Sequence, residues 1–63
     1  MIKERYHGTW MEDGIALCDS YLDVFLDESG TMWGIMHGRP FVHLSVDDGV
    51  ISGWSPTLEF KVL

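Results

Sequence analysis

The stretch that decides the fold is residues 21–44, YLDVFLDESGTMWGIMHGRPFVHL. Its even positions are mostly apolar, whereas its odd positions mix aromatic residues, carboxylates and two histidines. This two-residue period is typical of β-strands with two different faces. Two glycine-containing groups, DESG and HGRP, interrupt the period in the way that turns separate antiparallel strands. The stretch therefore predicts a run of β-hairpins.

The same punctuation continues along the chain, where MEDG, VDDG and WSPT interrupt further alternating segments. No window shows the i, i+3, i+4, i+7 repeat of an amphipathic helix. We predict a single all-β domain over residues 1–63, a small antiparallel meander of about five to seven short strands. Twist between neighbouring strands should curl it into a strongly curled sheet or partly closed barrel. The predicted strands lie near residues 4–10, 15–18, 21–27, 31–36, 40–46, 50–54 and 58–63.

A parity change indicates an irregularity between the second and third of these strands. Ile15 and Leu17 occupy odd positions, whereas Leu22 and Leu26 occupy even ones. One extra residue is needed to bring all four side chains to the same face, because a shift of one residue exchanges the faces of a strand. We therefore predict one long, bent strand with a β-bulge or kink at residues 18–20.

Loop length sets the strand register. Four three-residue loops keep the even positions on one face. They are residues 28–30, 37–39, 47–49 and 55–57. In this register Phe25 faces Trp33, Trp33 faces His43, and Val46 faces Val50.

The even face is the predicted core. The N-terminal segment is expected to cover or extend its concave side, with Tyr6, Trp10, Ile15 and Leu17. The predicted core residues are Leu22, Val24, Leu26, Met32, Met36, Val42, Leu44, Val46, Val50, Trp54, Leu58, Phe60 and Val62.

The odd face is the candidate binding surface. Strand neighbours lie about 4.8 Å apart, so Phe25, Trp33 and Phe41 should form one contiguous patch. An exposed aromatic patch on a small protein usually marks a docking surface, and the alternative is a second, minor core under the N-terminal segment. The predicted docking residues on this face are Tyr21, Asp23, Phe25, Trp33, Ile35, Phe41 and His43.

Acidic turns add a second candidate feature. Alternate turns of a meander lie at the same end, so Asp27 and Glu28 should lie about 10 Å from Asp47 and Asp48. Together these carboxylates would form a negative rim for Lys and Arg side chains of a partner. The alternative is that Asp and Glu simply suit turns. Residues 37–39 are predicted at the opposite end.

Composition narrows the function classes. The chain has 63 residues, ten carboxylates, four Lys and Arg, and a formal net charge of −6. This charge argues against direct binding to nucleic acid or to an anionic membrane, and it favours a basic protein partner. A single cysteine cannot form an internal disulfide, and no apolar run is long enough to span a bilayer. We expect an intracellular, cytoplasmic protein, located in the host cell if it is phage-encoded.

Catalytic chemistry is not predicted. The three histidines and the cysteine do not have the spacing of a metal site, and no phosphate-binding glycine loop is present. We expect no cofactor, no metal and no enzymatic activity. The prediction is a protein-binding module, in sharper form a small acidic inhibitor. It would occupy a basic, nucleic-acid-binding surface of a protein partner, as phage anti-restriction and anti-CRISPR proteins do. The alternative is a small-ligand-binding β module that completes its pocket by homodimerisation.

Overall fold

A computed structural model of the protein describes residues 2–36 and 38–63. The strands are β1 (Ile2–Glu12), β2 (Ile15–Leu26), β3 (Met32–Met36), β4 (Arg39–Val42), β5 (Ser45–Asp47), β6 (Val50–Ser52) and β7 (Leu58–Val62). They form one antiparallel sheet in the order β4-β3-β2-β1-β7-β6-β5, curled into a half-barrel. Within the described ranges no residue is helical. The predicted all-β, strongly curled antiparallel sheet is confirmed.

The long hairpin of β1 and β2 is the centre of this sheet. It pairs from Ile2 with Leu26 down to Glu12 with Ile15. Its turn, Asp13-Gly14, has positive φ at both residues (51° and 80°), which is a two-residue type I′ turn. β1 therefore lies in the middle of the sheet, whereas the N-terminal segment was predicted to cover or extend the concave side.

The predicted irregularity in β2 is present one residue earlier than expected. Trp10 pairs with Cys18, but Met11 pairs with Ala16, so Leu17 is the extra residue of the bulge. β2 is otherwise continuous, and the two strands predicted within it are one. The bulge changes the parity of the strand, which is what the apolar pattern required.

The loop between β2 and β3 has the predicted three residues. Phe25 pairs with Trp33 and Leu26 with Met32. The Asp27 N–H donates to the Thr31 carbonyl oxygen at 3.1 Å. The predicted register is therefore correct as far as Trp33.

The register beyond this point is wrong by one residue. Met36 pairs with Arg39, so β3 and β4 are joined by two residues instead of three. His37, predicted in that loop, lies outside the described residues. Phe41 consequently lies opposite Gly34, on the concave side, and Val42 moves to the outer face beside Trp33.

The turn between β5 and β6 also has two residues instead of the predicted three, so the register shifts there as well. Asp47 pairs with Val50, and Asp48 and Gly49 between them have positive φ (52° and 76°), again a type I′ turn. Ile51, predicted on the outer face, is instead fully buried and pairs with Phe60. The predicted pairing of Val46 with Val50 is wrong for the same reason, since Val46 pairs with Ile51.

The predicted strand 40–46 is broken in two. β4 ends at Val42, His43 has a positive φ of 61°, and β5 begins at Ser45. The two pieces lie at opposite edges of the sheet. The chain crosses between them at Leu44, whose N–H donates to the Met32 carbonyl oxygen at 3.0 Å. The sheet is therefore completed by β7 pairing with β1, and β4 and β5 do not form one continuous strand.

The core fills the concave side of the curled sheet. Trp10 packs edge-to-face against Trp54 and Phe60, with ring centres 5.2 Å and 4.9 Å away. The Trp54 indole N–H donates to the Ile51 carbonyl oxygen at 3.2 Å, so this buried donor is paired. Val46, predicted in the core, is exposed. The buried core residues are Leu22, Val24, Leu44, Ile51, Trp54 and Phe60.

Candidate protein-binding surface

The convex face carries two cross-strand pairs formed by β1 and β2, with Lys3 close to one of them. His7 stacks on Tyr21 with ring centres 4.7 Å apart. The Arg5 guanidinium donates to both carboxylate oxygens of Asp23, at 2.9 Å and 3.3 Å, and Lys3 Nζ lies 3.6 Å from the same carboxylate. The pairs lie on the outer face because the side chains of the alternate residues enter the core.

Two aromatic rings extend this face onto β3. Phe25 stacks on Trp33 with ring centres 4.4 Å apart and an interplanar angle of 19°. Val42, 56% exposed, pairs with Trp33 from the other side, and Ile35 is also exposed. We call the group Tyr21, Phe25, Trp33, Ile35 and Val42 the convex patch.

Five of the seven residues predicted for this face lie on it: Tyr21, Asp23, Phe25, Trp33 and Ile35. The other two do not. Phe41 lies on the core side with its ring centre 5.6 Å from that of Trp54. His43 lies in the bend between β4 and β5, outside both strands. Both were misplaced because the register shifts after Trp33.

Asp23 is neutralised locally. The hydrogen bonds and charge of Arg5, with a smaller contribution from Lys3, hold the pKa of the Asp23 carboxyl below its usual value. The same pairing raises the pKa of Arg5. The middle of the convex face therefore contains a closed ion pair between aromatic groups, and Asp23 is not a free anion for a partner.

Asp27 is occupied within its own turn. Its carboxylate accepts hydrogen bonds from the Ser29 N–H at 3.0 Å, the Ser29 hydroxyl at 2.7 Å and the Thr31 N–H at 2.9 Å. These bonds lower the pKa of the carboxyl. The alternative that Asp and Glu simply suit turns therefore accounts for Asp27. Glu28 beside it is exposed.

The two acidic turns do not form the predicted rim. Asp27 and Glu28 join β2 to β3, whereas Asp47 and Asp48 lie where β5 meets β6. Strands β1 and β7 separate β2 from β6 in the sheet. The expectation that one intervening strand separates the turns is therefore wrong, although Asp47 and Asp48 are exposed.

Sequence reasoning missed a groove along β2. Pairing with β3 covers only Val24 to Leu26, and among the described residues no strand pairs with the outer side of residues 15–23. We call this outer side the β2 edge. A groove of about 620 Å³ follows it and is lined by residues from both faces of the sheet. Its lining is largely apolar and includes Trp10, Leu17, Leu22, Ile35, Met36 and Leu58.

Other chemistry is limited in the part of the chain that the structure describes. There, no three His, Cys, Asp or Glu side chains are arranged to hold a metal ion, and no helix is long and apolar enough to cross a membrane. Cys18 carries an exposed thiol. No protein family, curated protein or solved structure matches the chain.

Proposed function

We propose that the chain is a non-enzymatic protein-binding module that docks on a basic surface of a protein partner through the convex patch. The observation that supports this best is the aromatic outer face of the sheet, on which Tyr21 is exposed and Phe25 and Trp33 are half-buried. Tyr21 is 66% exposed, and the Phe25–Trp33 stack lies outside the buried core cluster. Contiguous aromatic and aliphatic groups are typical of interface centres.

Charge supports a basic partner. The formal net charge is −6, and Lys3 and Arg5, two of the four basic residues, are paired with Asp23. The remaining exposed carboxylates include Glu12, Asp13, Glu28, Asp47 and Asp48. A field of this sign attracts a cationic surface and repels nucleic acid.

The sharper proposal is inhibition. A basic surface that normally holds nucleic acid would be covered by the bound chain, as an anti-restriction or anti-CRISPR protein covers its target. The homodimeric ligand-binding alternative requires the aromatic faces to enclose a pocket. Here those groups lie on the convex side, and two convex surfaces placed together do not enclose one.

The test begins with affinity capture from the cells that make the protein, followed by identification and purification of the captured partner. Trp33→Ala should leave the fold intact and weaken binding by about 2 kcal/mol or more, roughly thirtyfold. Val46→Ala is the control, because it truncates an exposed apolar residue on β5, away from the convex patch. Nucleic acid should compete with the chain for the purified partner if the inhibitor proposal is right.

A second pair of substitutions tests the acidic residues, which should affect how fast the complex forms, separately from the aromatic contacts that hold it together. Asp47→Asn combined with Asp48→Asn should slow association, and the effect should decrease as salt rises, because exposed charges are screened beyond about 10 Å at 0.1 M. Dissociation should change little. Unfolding by Trp33→Ala, together with normal binding of the double variant at every salt concentration, would contradict the proposed function.

A further inference from the structure

The β2 edge differs from the two outer edges of the sheet. On β4 the outer edge carries Arg39 and Pro40, and on β5 it is only three residues long. Positive charge, proline and short length are features by which edge strands avoid pairing with other chains. β2 has 12 residues and contains no Lys, Arg or Pro. Its bulge at Leu17 leaves residues 18–23 as the regular part of the β2 edge.

The backbone of this part is oriented for strand addition. The Asp27 N–H bonds to Thr31, on the β3 side of β2. In a regular strand every second residue directs its N–H and C=O to the same side, and β2 has no register shift after Cys18. Asp19 and Tyr21 therefore direct their backbone groups into the groove.

The side chains along the edge present two different surfaces. On the concave side, Leu22 and Met36 form an apolar wall of the groove. On the convex side, Asp19 is exposed, with one carboxylate oxygen accepting a hydrogen bond from the Thr9 hydroxyl at 2.6 Å. Near the turn, Ile15 and Leu17 are 67% and 58% exposed.

We propose that the β2 edge binds an extended segment of the partner protein as an added antiparallel or parallel strand. Apolar residues of that segment would fill the groove, and alternating Lys or Arg residues would face Asp19. Main-chain hydrogen bonds supply affinity in this mode of recognition, and the alternating side chains supply specificity. The inference rests on the proposed function, since it specifies how the basic partner is held.

Charge favours a basic segment over a second copy of this chain. β2 contributes the Asp19 carboxylate but no cation, since Asp23 is already paired with Arg5, and each copy has a formal net charge of −6. Pairing two β2 edges would bring like charges together, whereas Lys or Arg on an added strand would face an opposite charge.

The test uses a synthetic peptide of about six residues that alternates Val and Lys, the length of an ordinary strand. Its control replaces each Lys by Glu. Titration into the isotopically labelled protein should shift the backbone amide signals of Asp19 and Tyr21, and the Glu peptide should shift them far less. An absence of saturable shifts at these amides, equal binding of the Glu peptide, or shifts confined to Trp33 and Val42, which do not line the groove, would each overturn the proposal.

A second experiment methylates single backbone amides, which is possible because a chain of 63 residues is accessible to chemical synthesis. N-methylation of Tyr21 removes a donor that points into the groove and should weaken the Val-Lys peptide about tenfold or more. N-methylation of Val46 is the matched control. Asp47 and Val50 flank a two-residue turn and bond to each other, so the Val46 N–H points outward from β5. Equal peptide affinity for the two methylated chains would overturn the proposal.

The two proposals fail in different ways. Once the partner is purified, loss of binding on Trp33→Ala with full binding of the Tyr21-methylated chain would overturn strand addition alone. Full binding of both would overturn the proposed function as well. Self-association that disappears on methylation of Tyr21 would show that the occupant of the β2 edge is a second copy, and it would overturn the basic-segment proposal.

Discussion

The two strands of the long hairpin have different surroundings near their connecting turn. β1 pairs there with both β2 and β7, and its Trp10 packs against Phe60 and Trp54. Among the described strands, β2 pairs there with β1 alone, and Ile15 and Leu17 are exposed. One hairpin thus separates two environments: the β7 side of β1 supplies the core, and the far side of β2, which we propose as a docking edge, pairs with no described strand at residues 15–23.

The largest loss of stability is expected from a substitution on the β7 side of the hairpin. Phe60 is fully buried, so Phe60→Ala should reduce the free energy of unfolding by about 3–5 kcal/mol. Since small domains have little stability to lose, the variant should be largely unfolded by near-UV circular dichroism. Tyr21→Ala, an aromatic truncation on the open side, should cost about 1 kcal/mol or less. Similar losses for the two variants in denaturant would contradict the separation.

A smaller effect is expected at Gly8, which has β7 on one side and β2 on the other. A methyl group there would collide with the Lys61 carbonyl oxygen and lie 2.7 Å from the Phe60 ring. Gly8→Ala should therefore cost about 1–3 kcal/mol, the usual cost of overpacking. Ser20→Ala, at the paired position in β2, should cost about 0.5 kcal/mol or less. Urea midpoints compare the two, and a greater loss for Ser20→Ala would reverse the roles of β7 and β2.

The third-largest loss of stability is expected in the turn that connects β2 to β3. Gly30 has a φ of +86°, where a β-branched side chain is strained by about 1–2 kcal/mol. Gly30→Val should therefore be clearly destabilising, although nothing lies within 4 Å of its added Cβ. Ser29→Ala should be milder, because the hydroxyl that it removes is exposed and Asp27 keeps its two backbone hydrogen bonds. Equal stabilities of these two variants would show that the turn does not control where β3 begins to pair.

The smallest effect is a pH dependence at the same turn. The pKa of Asp27 is lowered by hydrogen bonds from Ser29 and Thr31, so it lies below the unfolded-state value of about 4. The stabilisation is therefore complete above that unfolded pKa and is lost as pH falls through the folded one. Asp27→Asn should show a smaller drop in denaturation midpoint between about pH 7 and pH 3. An unchanged drop would mean that these bonds do not stabilise the fold. Asp23, whose pKa is lowered by Arg5, should contribute a separate part of the same drop.

The fold class, the length of β2 and the first loop were predictable, because alternation and glycine punctuation are local features. A stronger local signal was missed at residues 48–49. Asp-Gly between alternating segments favours a two-residue type I′ turn, and reading it within a three-residue loop moved Ile51 to the wrong face. The neighbour order could not be predicted in this way. Alternation is compatible with one continuous strand over residues 40–46 and also with a break at His43 and pairing of β7 with β1, and only packing selects between them.

The candidate site likewise contains residues that local patterns predicted and residues that they did not. Tyr21, Phe25, Trp33 and Ile35 were placed correctly, since the register from β2 into β3 was correct. Phe41 was placed on the wrong face, because Met36 pairs with Arg39 and the register of β4 shifts by one residue. The β2 edge depends on where β3 stops pairing with β2, which is a property of the sheet curvature and is not written in any local pattern of residues.

The pairing of β1 with β7 has a consequence for folding kinetics. β7 follows the other six strands in sequence, so β1 and β2 leave the ribosome before the strand that completes their core. Closing so long a loop costs chain entropy before any contact forms, and such non-local pairing makes folding slow. During synthesis the nascent hairpin therefore lacks β7, with Trp10 uncovered, and this is the interval in which a chaperone would have the most apolar surface to bind.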